Sequence, residues 1–167
     1  MQSWKQPRNT RASIPPSARG IDWLYSVQPG DICLHRNFYV DQDTGEFRDK
    51  FLVALARLPG GDIVFRLLTS RQHGRPEVPP CYHGDPYPGF YLGVPGGPLE
   101  RRTWVDLRGI EDYDGASAAT EETRGNLMRV MTLDPGLFRS VLDCVAAAND
   151  TTRQQERASR DHMSRVR

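Results

Sequence analysis

Thr69 and Ser70 set two hydroxyls side by side, and Arg71, His73 and Arg75 follow them directly. Hydroxyls offer hydrogen bonds, and the basic side chains beside them offer positive charge. The pair stands where a hydrophobic run ends and a basic loop begins, which is a good place for a site. Tyr82, Tyr87, Phe90 and Tyr91 lie further along the same stretch. Interleaved with Arg71, His73 and Arg75, these rings could stack on nucleic-acid bases; equally, they could tie the loop to the body of the protein. His73, Cys81 and His83 offer three zinc-type ligands, yet a fourth is missing and the spacing matches no usual centre. Asp41, Asp43, Thr44, Gly45 and Glu46 begin like a calcium loop, but the oxygen spacing fails after Gly45 and no terminal Glu follows in place. The reading is therefore a site without a metal. Gly60-Gly61 and Gly96-Gly97 lack the Lys-Ser/Thr context of a phosphate loop.

The elements that must position Thr69 and Ser70 are read from the run Lys50 to Ser70. Two apolar segments flank Pro59-Gly60-Gly61-Asp62, a strong turn signal, so the stretch predicts a β-hairpin. Phe51, Val53 and Leu55 alternate on one face of the first strand; Phe65, Leu67 and Thr69 share a face of the second. Upstream, Pro29-Gly30-Asp31 turns the chain into a first strand at Ile32-Cys33-Leu34-His35. A polar connection from Phe38 to Arg48 links it to the hairpin. Downstream, Phe90 to Pro95 reads as a short strand and Thr103 to Leu107 as the last main one, with Trp104 expected to pack rather than bind.

The C-terminal third changes period. Thr120 with Glu121 and Glu122 predicts a helix start, with Leu127, Val130 and Met131 on its apolar face. Leu133-Asp134-Pro135 predicts a second start, with Asp134 as the cap, Pro135 in the first turn and Leu133 stapled onto Phe138. Leu137, Phe138, Val141, Leu142 and Val145 then line one face of a helix running to about Ala148.

Length and composition set the outer limits. A chain of 167 residues suits one domain with extensions, and 15 Gly and 13 Pro imply short elements and many turns. The formal net charge is only +1, so any nucleic-acid site depends on local clustering of arginines. Cys33, Cys81 and Cys144 are odd in number and far apart, which predicts no disulfide framework. No apolar run is long enough to span a bilayer and no leader-like segment opens the chain, so a cytoplasmic protein is expected. Residues 1–20 read as a flexible arm, 21–149 as the folded domain and 150–167 as a basic tail.

The order Pro29-Gly-Asp-Ile32, a polar loop, the strand Lys50-Phe-Leu-Val-Ala-Leu55, a hairpin and a strand closing on Leu68-Thr69-Ser70 resembles the PemK/MazF family of toxin endoribonucleases. The Thr103-Trp-Val-Asp-Leu107 strand and the C-terminal amphipathic helix sit where that family has them. The match covers about Val27 to Asn149. The resemblance implies a mainly β fold, a small SH3-like antiparallel barrel with a C-terminal α-helix, usually a homodimer. It implies metal-independent cleavage of single-stranded RNA, no cofactor, and control by an antitoxin. Thr69 and Ser70 map onto the family's hydroxyl at the third strand's end, and Arg71, His73 and Arg75 would guide the RNA. The family commonly has Arg-Pro before the second strand. Here the chain reads Arg48-Asp49-Lys50-Phe51, with Asp49 opposite the usual Arg, so the resemblance leaves Arg48 or Lys50 to supply the basic catalytic residue. The competing expectation is a catalytically silent SH3-like barrel that binds protein or nucleic acid.

Overall fold

The computed structural model describes residues 27–167 apart from 112. The expected arm at 1–20 lies outside the described residues. In chain order the elements are β1 (Asp31–Val40), β2 (Phe47–Arg57), β3 (Ile63–Thr69), β4 (Cys81–Tyr82), β5 (Gly89–Gly93) and β6 (Thr103–Asp106). Then follow α1 (Gly115–Thr123), β7 (Leu127–Thr132), α2 (Pro135–Ala146) and α3 (Arg153–Met163). The strands make one antiparallel sheet in the order β4-β5-β6-β3-β2-β1-β7. The fold is mainly β, as the alternating runs predict. The sheet keeps two ends, β4 and β7, and is not closed into a barrel.

The hairpin forms where the sequence marks it. Leu58 N–H donates to Asp62 O at 2.8 Å and Gly61 N–H to Leu58 O at 2.9 Å, with Gly61 at φ +89°, a backbone state open to glycine. Leu52, Val53, Ala54, Leu55 and Ala56 are all fully buried, because both faces of the sheet are covered. Val53, Leu55, Val64 and Leu68 meet Phe138, Val141, Leu142 and Val145 of α2 on one face. Leu52, Ala54, Ile63 and Phe65 turn the other way, toward Cys33, Leu127 and Ala118 of α1. The period of two thus feeds two cores from one strand.

α2 starts as its sequence predicts. The Asp134 carboxylate accepts from Leu137 N–H at 3.1 Å, Pro135 opens the first turn, and Leu133 and Phe138 are buried in one cluster.

The other helix expectations change. α1 begins at Gly115, where the Asp114 carboxylate accepts from Ser117 N–H at 2.8 Å, and ends at Thr123. Gly125 at φ +76° reverses the chain. Leu127, Val130 and Met131 then enter β7, in register with β1 through Leu34↔Met128 and Ile32↔Met131. The unpaired edge of β1 outweighs the helical spacing of three apolar residues. Residues 150–167 are not a tail: Thr152 and Gln155 form a reciprocal capping box that opens α3. Its contacts run through the buried Ser159, through Met163 and Val166 against the core, and through Gln155 Oε1, which accepts from the buried Arg66 at 3.2 Å. No apolar stripe records that docking.

Cys81 and Cys144 form a disulfide between β4 and α2, with Cα atoms 5.7 Å apart, contrary to the expectation from their wide spacing. Cys33 stays a buried free thiol, pushed up to about 12 by burial first and then by the charge of Asp31. Among the described residues, no helix is long and apolar enough to cross a membrane.

Candidate functional site

Register brings the cleft together. Phe51 lies opposite Leu68, so the next pair out sets Lys50 across from Thr69 at the open end of the hairpin. On its other side Thr69 pairs with Trp104 of β6, and Trp104 is buried, which fixes Thr69 between two strands. The segment before β6 folds over this end. Gly96 and Leu99 exchange backbone hydrogen bonds at 3.1 and 3.0 Å, and buried Leu99 pins the turn to the core. The Thr103 hydroxyl donates to Arg101 O at 2.8 Å and orients the last residues before the strand. The result is a cleft of about 320 Å³ lined by Lys50, Thr69, Ser70, Arg71, Leu99 and Arg101, among others.

Four of the expected site residues, Lys50, Thr69, Ser70 and Arg71, thus share one cleft. Lys50 is half-buried, with its ammonium 5.6 Å from the centre of the Tyr39 ring. Burial first, and then the nearby charge of Arg71, holds its pKa below the usual lysine range; Asp106 pulls the other way. The Thr69 hydroxyl oxygen accepts from Arg71 N–H at 3.1 Å. That bond shapes the exit from β3 and leaves the O–H proton for a group in the cleft. Arg71 and Ser70 are exposed.

The remaining candidates are placed elsewhere. Arg48, one face-repeat before Lys50, turns back to Asp41 at 3.2 Å and Glu46 at 3.5 Å and does not line the cleft. Asp49 does line the cleft, and its Oδ1 accepts from Asn37 N–H at 3.0 Å. His73 stacks on Tyr87 with ring centroids 4.6 Å apart. Arg75 is only 1% exposed. Its guanidinium donates to Arg71 O at 2.9 Å and to Pro88 O at 3.4 Å, and pairs with Asp106 at 3.5 Å. Arg75 therefore supports the backbone of Arg71 from below. The aromatic residues follow the packing reading: Phe90 is in the core, Tyr91 lies 4.9 Å from Trp104, and the Tyr87 ring meets Arg75 and Arg108.

Gly89 makes room for that support. A Cβ at Gly89 would stand 2.5 Å from Arg75 Cδ, 2.7 Å from Arg75 Nε and 3.2 Å from Val105 O. Gly89→Ala is expected to push the Arg75 side chain out of its bed and to destabilise the fold by about 1–3 kcal/mol, the usual cost of overpacking. Urea titration should show a lower midpoint at the same slope. An unchanged midpoint would mean that Arg75 is not held as described.

Arg101 and Leu99 escape the sequence reading, which weighs Gly96-Gly97 only against a phosphate loop. The basic pair Arg101-Arg102 immediately before the Thr103 strand was the available signal. No protein-family model, curated protein or solved structure matches this chain.

Proposed function

We propose that this chain is a metal-independent endoribonuclease toxin of the PemK/MazF kind, acting on single-stranded RNA under the control of an antitoxin. The observation that supports this most is the meeting of Lys50, Thr69, Ser70 and Arg71 in one cleft that Arg101 also lines. RNA cleavage by this route needs a base for the 2′-OH, positive charge around the pentavalent phosphorus, and an acid for the leaving 5′-oxygen. In this reading neutral Lys50 takes the 2′-OH proton as the 2′-oxygen attacks phosphorus. Arg71 and Arg101 offset the charge that gathers on the phosphoryl oxygens. The 5′-oxygen leaves with a proton from the lysine ammonium, and a 2′,3′-cyclic phosphate remains. Thr69 and Ser70 orient the phosphate through their hydroxyls.

The test is induced expression of the wild type beside Thr69→Ala, with cellular RNA mapped for new ends, and the same digestion repeated on purified protein in a chelator. Growth arrest with new RNA ends in the wild type, lost in Thr69→Ala and indifferent to the chelator, supports the reading. If wild type and variant leave RNA alike and uncut with the antitoxin removed, the chain is a binding module instead. The same reading includes a homodimer. Val40 and Phe47 face each other at the far end of β1–β2, both exposed, and suit an apolar contact between copies. Sedimentation at micromolar concentration should give about twice the 18.9 kDa of one chain; a single species at one chain's mass would remove the dimer.

A further inference from the structure

The sequence gathers His73, Cys81 and His83 as zinc-type ligands, and the fold regroups them. His73 leaves for Tyr87, and Cys144 arrives from α2. Cys81 Sγ, a ring nitrogen of His83 and Cys144 Sγ all lie within 4.8 Å of one another. His83 Nε2 is 3.2 Å from Cys81 Sγ. Zinc–sulfur bonds are about 2.3 Å and zinc–nitrogen bonds about 2.0 Å, so a tetrahedral ion sets S···S at about 3.8 Å and S···N at about 3.5 Å, a geometry that the reduced sulfurs reach by moving apart by less than about 2 Å. We propose that Cys81, His83 and Cys144 form a redox-governed zinc site, which binds one Zn²⁺ when both sulfurs are reduced and is closed to it when they are joined as the disulfide.

The local structure favours this over an accidental meeting. Cys81 and His83 stand two residues apart at the edge strand β4, the spacing that returns a side chain to the same side of an extended chain. Cys144 presents its sulfur from the buried face of α2, held there by neighbours such as Val141 and Val145. The three groups differ in access: Cys144 is buried, Cys81 half-buried and His83 exposed. An ion can therefore enter from the side of His83. A small cleft of about 150 Å³, lined by His83, Asp85, Arg108 and Asp150, opens on the His83 side.

The exchange balances as follows. A dithiol attacks the Cys81–Cys144 disulfide and becomes a cyclic disulfide itself, passing two electrons and two protons to the protein sulfurs. Zn²⁺ then replaces the two thiol protons, which leave to solvent, and His83 binds as the neutral imidazole. Two thiolates and one imidazole match the ligand set zinc favours over harder cations. Either state ties β4 to α2; they differ in whether an ion is part of the tie.

The experiment uses the full chain in both redox states. The reduced protein, freed of reductant without air, is expected to retain one zinc per chain through gel filtration. With Co²⁺ in place of zinc it should show thiolate charge-transfer absorption and the d–d bands of a tetrahedral centre. The oxidised protein should retain none. His83→Asn, a substitution at an exposed residue, should weaken zinc binding by tenfold or more, and Cys81→Ser should abolish the charge-transfer band or halve it. The buried Cys33 serves as an internal reference, because it is remote from the cluster and should not react in the native state. Reduced wild type that binds no zinc overturns the proposal and leaves the disulfide as the whole account. So does zinc binding of equal strength in wild type, His83→Asn and Cys81→Ser. Should Cys144→Ser fail to fold, the other two variants still decide the matter.

Discussion

Under the proposed endoribonuclease activity, replacing Lys50 with Ala is expected to lower RNA cleavage by about 10²–10⁴-fold, the usual share of a positioned acid–base group. The expectation rests on placement. Lys50 faces Thr69 across the hairpin and lines the cleft, whereas Arg48 is occupied by Asp41 and Glu46. Arg48→Ala should accordingly lose far less than Lys50→Ala. A pH profile separates a proton acceptor from a simple cation. Only the neutral amine can take a proton, so activity should rise with pH as Lys50 loses its own. The rise should centre below the ordinary lysine value of about 10.4, because burial and then Arg71 disfavour the charged form. Lys50→Arg keeps the charge and removes the titration, so any residual activity should lose that limb. If Lys50→Arg retains both rate and profile, Lys50 supplies only charge, and the base lies elsewhere.

The second large effect is on stability. Val141 sits on α2 with no exposed surface, packed among Val53, Leu55 and Leu142. Val141→Asp places a carboxylate on the fully buried, apolar face of α2. The cost is on the order of 4 kcal/mol or more, against a total stability of about 5–15 kcal/mol for a typical domain. Loss of the cooperative thermal transition, or its fall by many degrees, is the expected result. Val141→Ala, which leaves a cavity without a charge, should fall between the two. An unchanged melting temperature for the Asp variant would show that α2 is not docked on the sheet.

The parts of this molecule written in local chemistry were legible from residues alone. The Pro59 to Asp62 turn, the alternation of Phe51 to Leu55 and the Asp134-Pro135 helix start each carry their cause within a few residues. The parts set by distant partners were not. Leu127 to Met131 can be spaced as a helix or as a strand, and the free edge of β1 chooses between them. α3 docks through Arg66 and a buried serine, residues that no hydrophobic pattern marks. Arg75 reads as a basic loop residue until the carboxylate of Asp106 and the hollow at Gly89 bury it. The cleft was half visible: its hydroxyls and Lys50 follow from the hairpin, but Arg101 joins them only through the turn held by Leu99. Cys81 and Cys144 are brought together by the packing of α2 on the sheet, which their spacing does not encode.

The pairing of β7 with β1 has a consequence for how the chain is made. β1 leaves the ribosome early and meets β2 at once, but its other edge waits for Leu127–Thr132 while residues 41–126 are still being added. At about 5–20 residues per second this wait lasts on the order of ten seconds. Throughout it a run containing Ile32, Cys33 and Leu34 shows unpaired backbone groups to every neighbouring polypeptide. The last strand to pair is thus also the guard of the first. Pauses in translation before Leu127 should raise the fraction of aggregated product, while pauses after Thr132 should not.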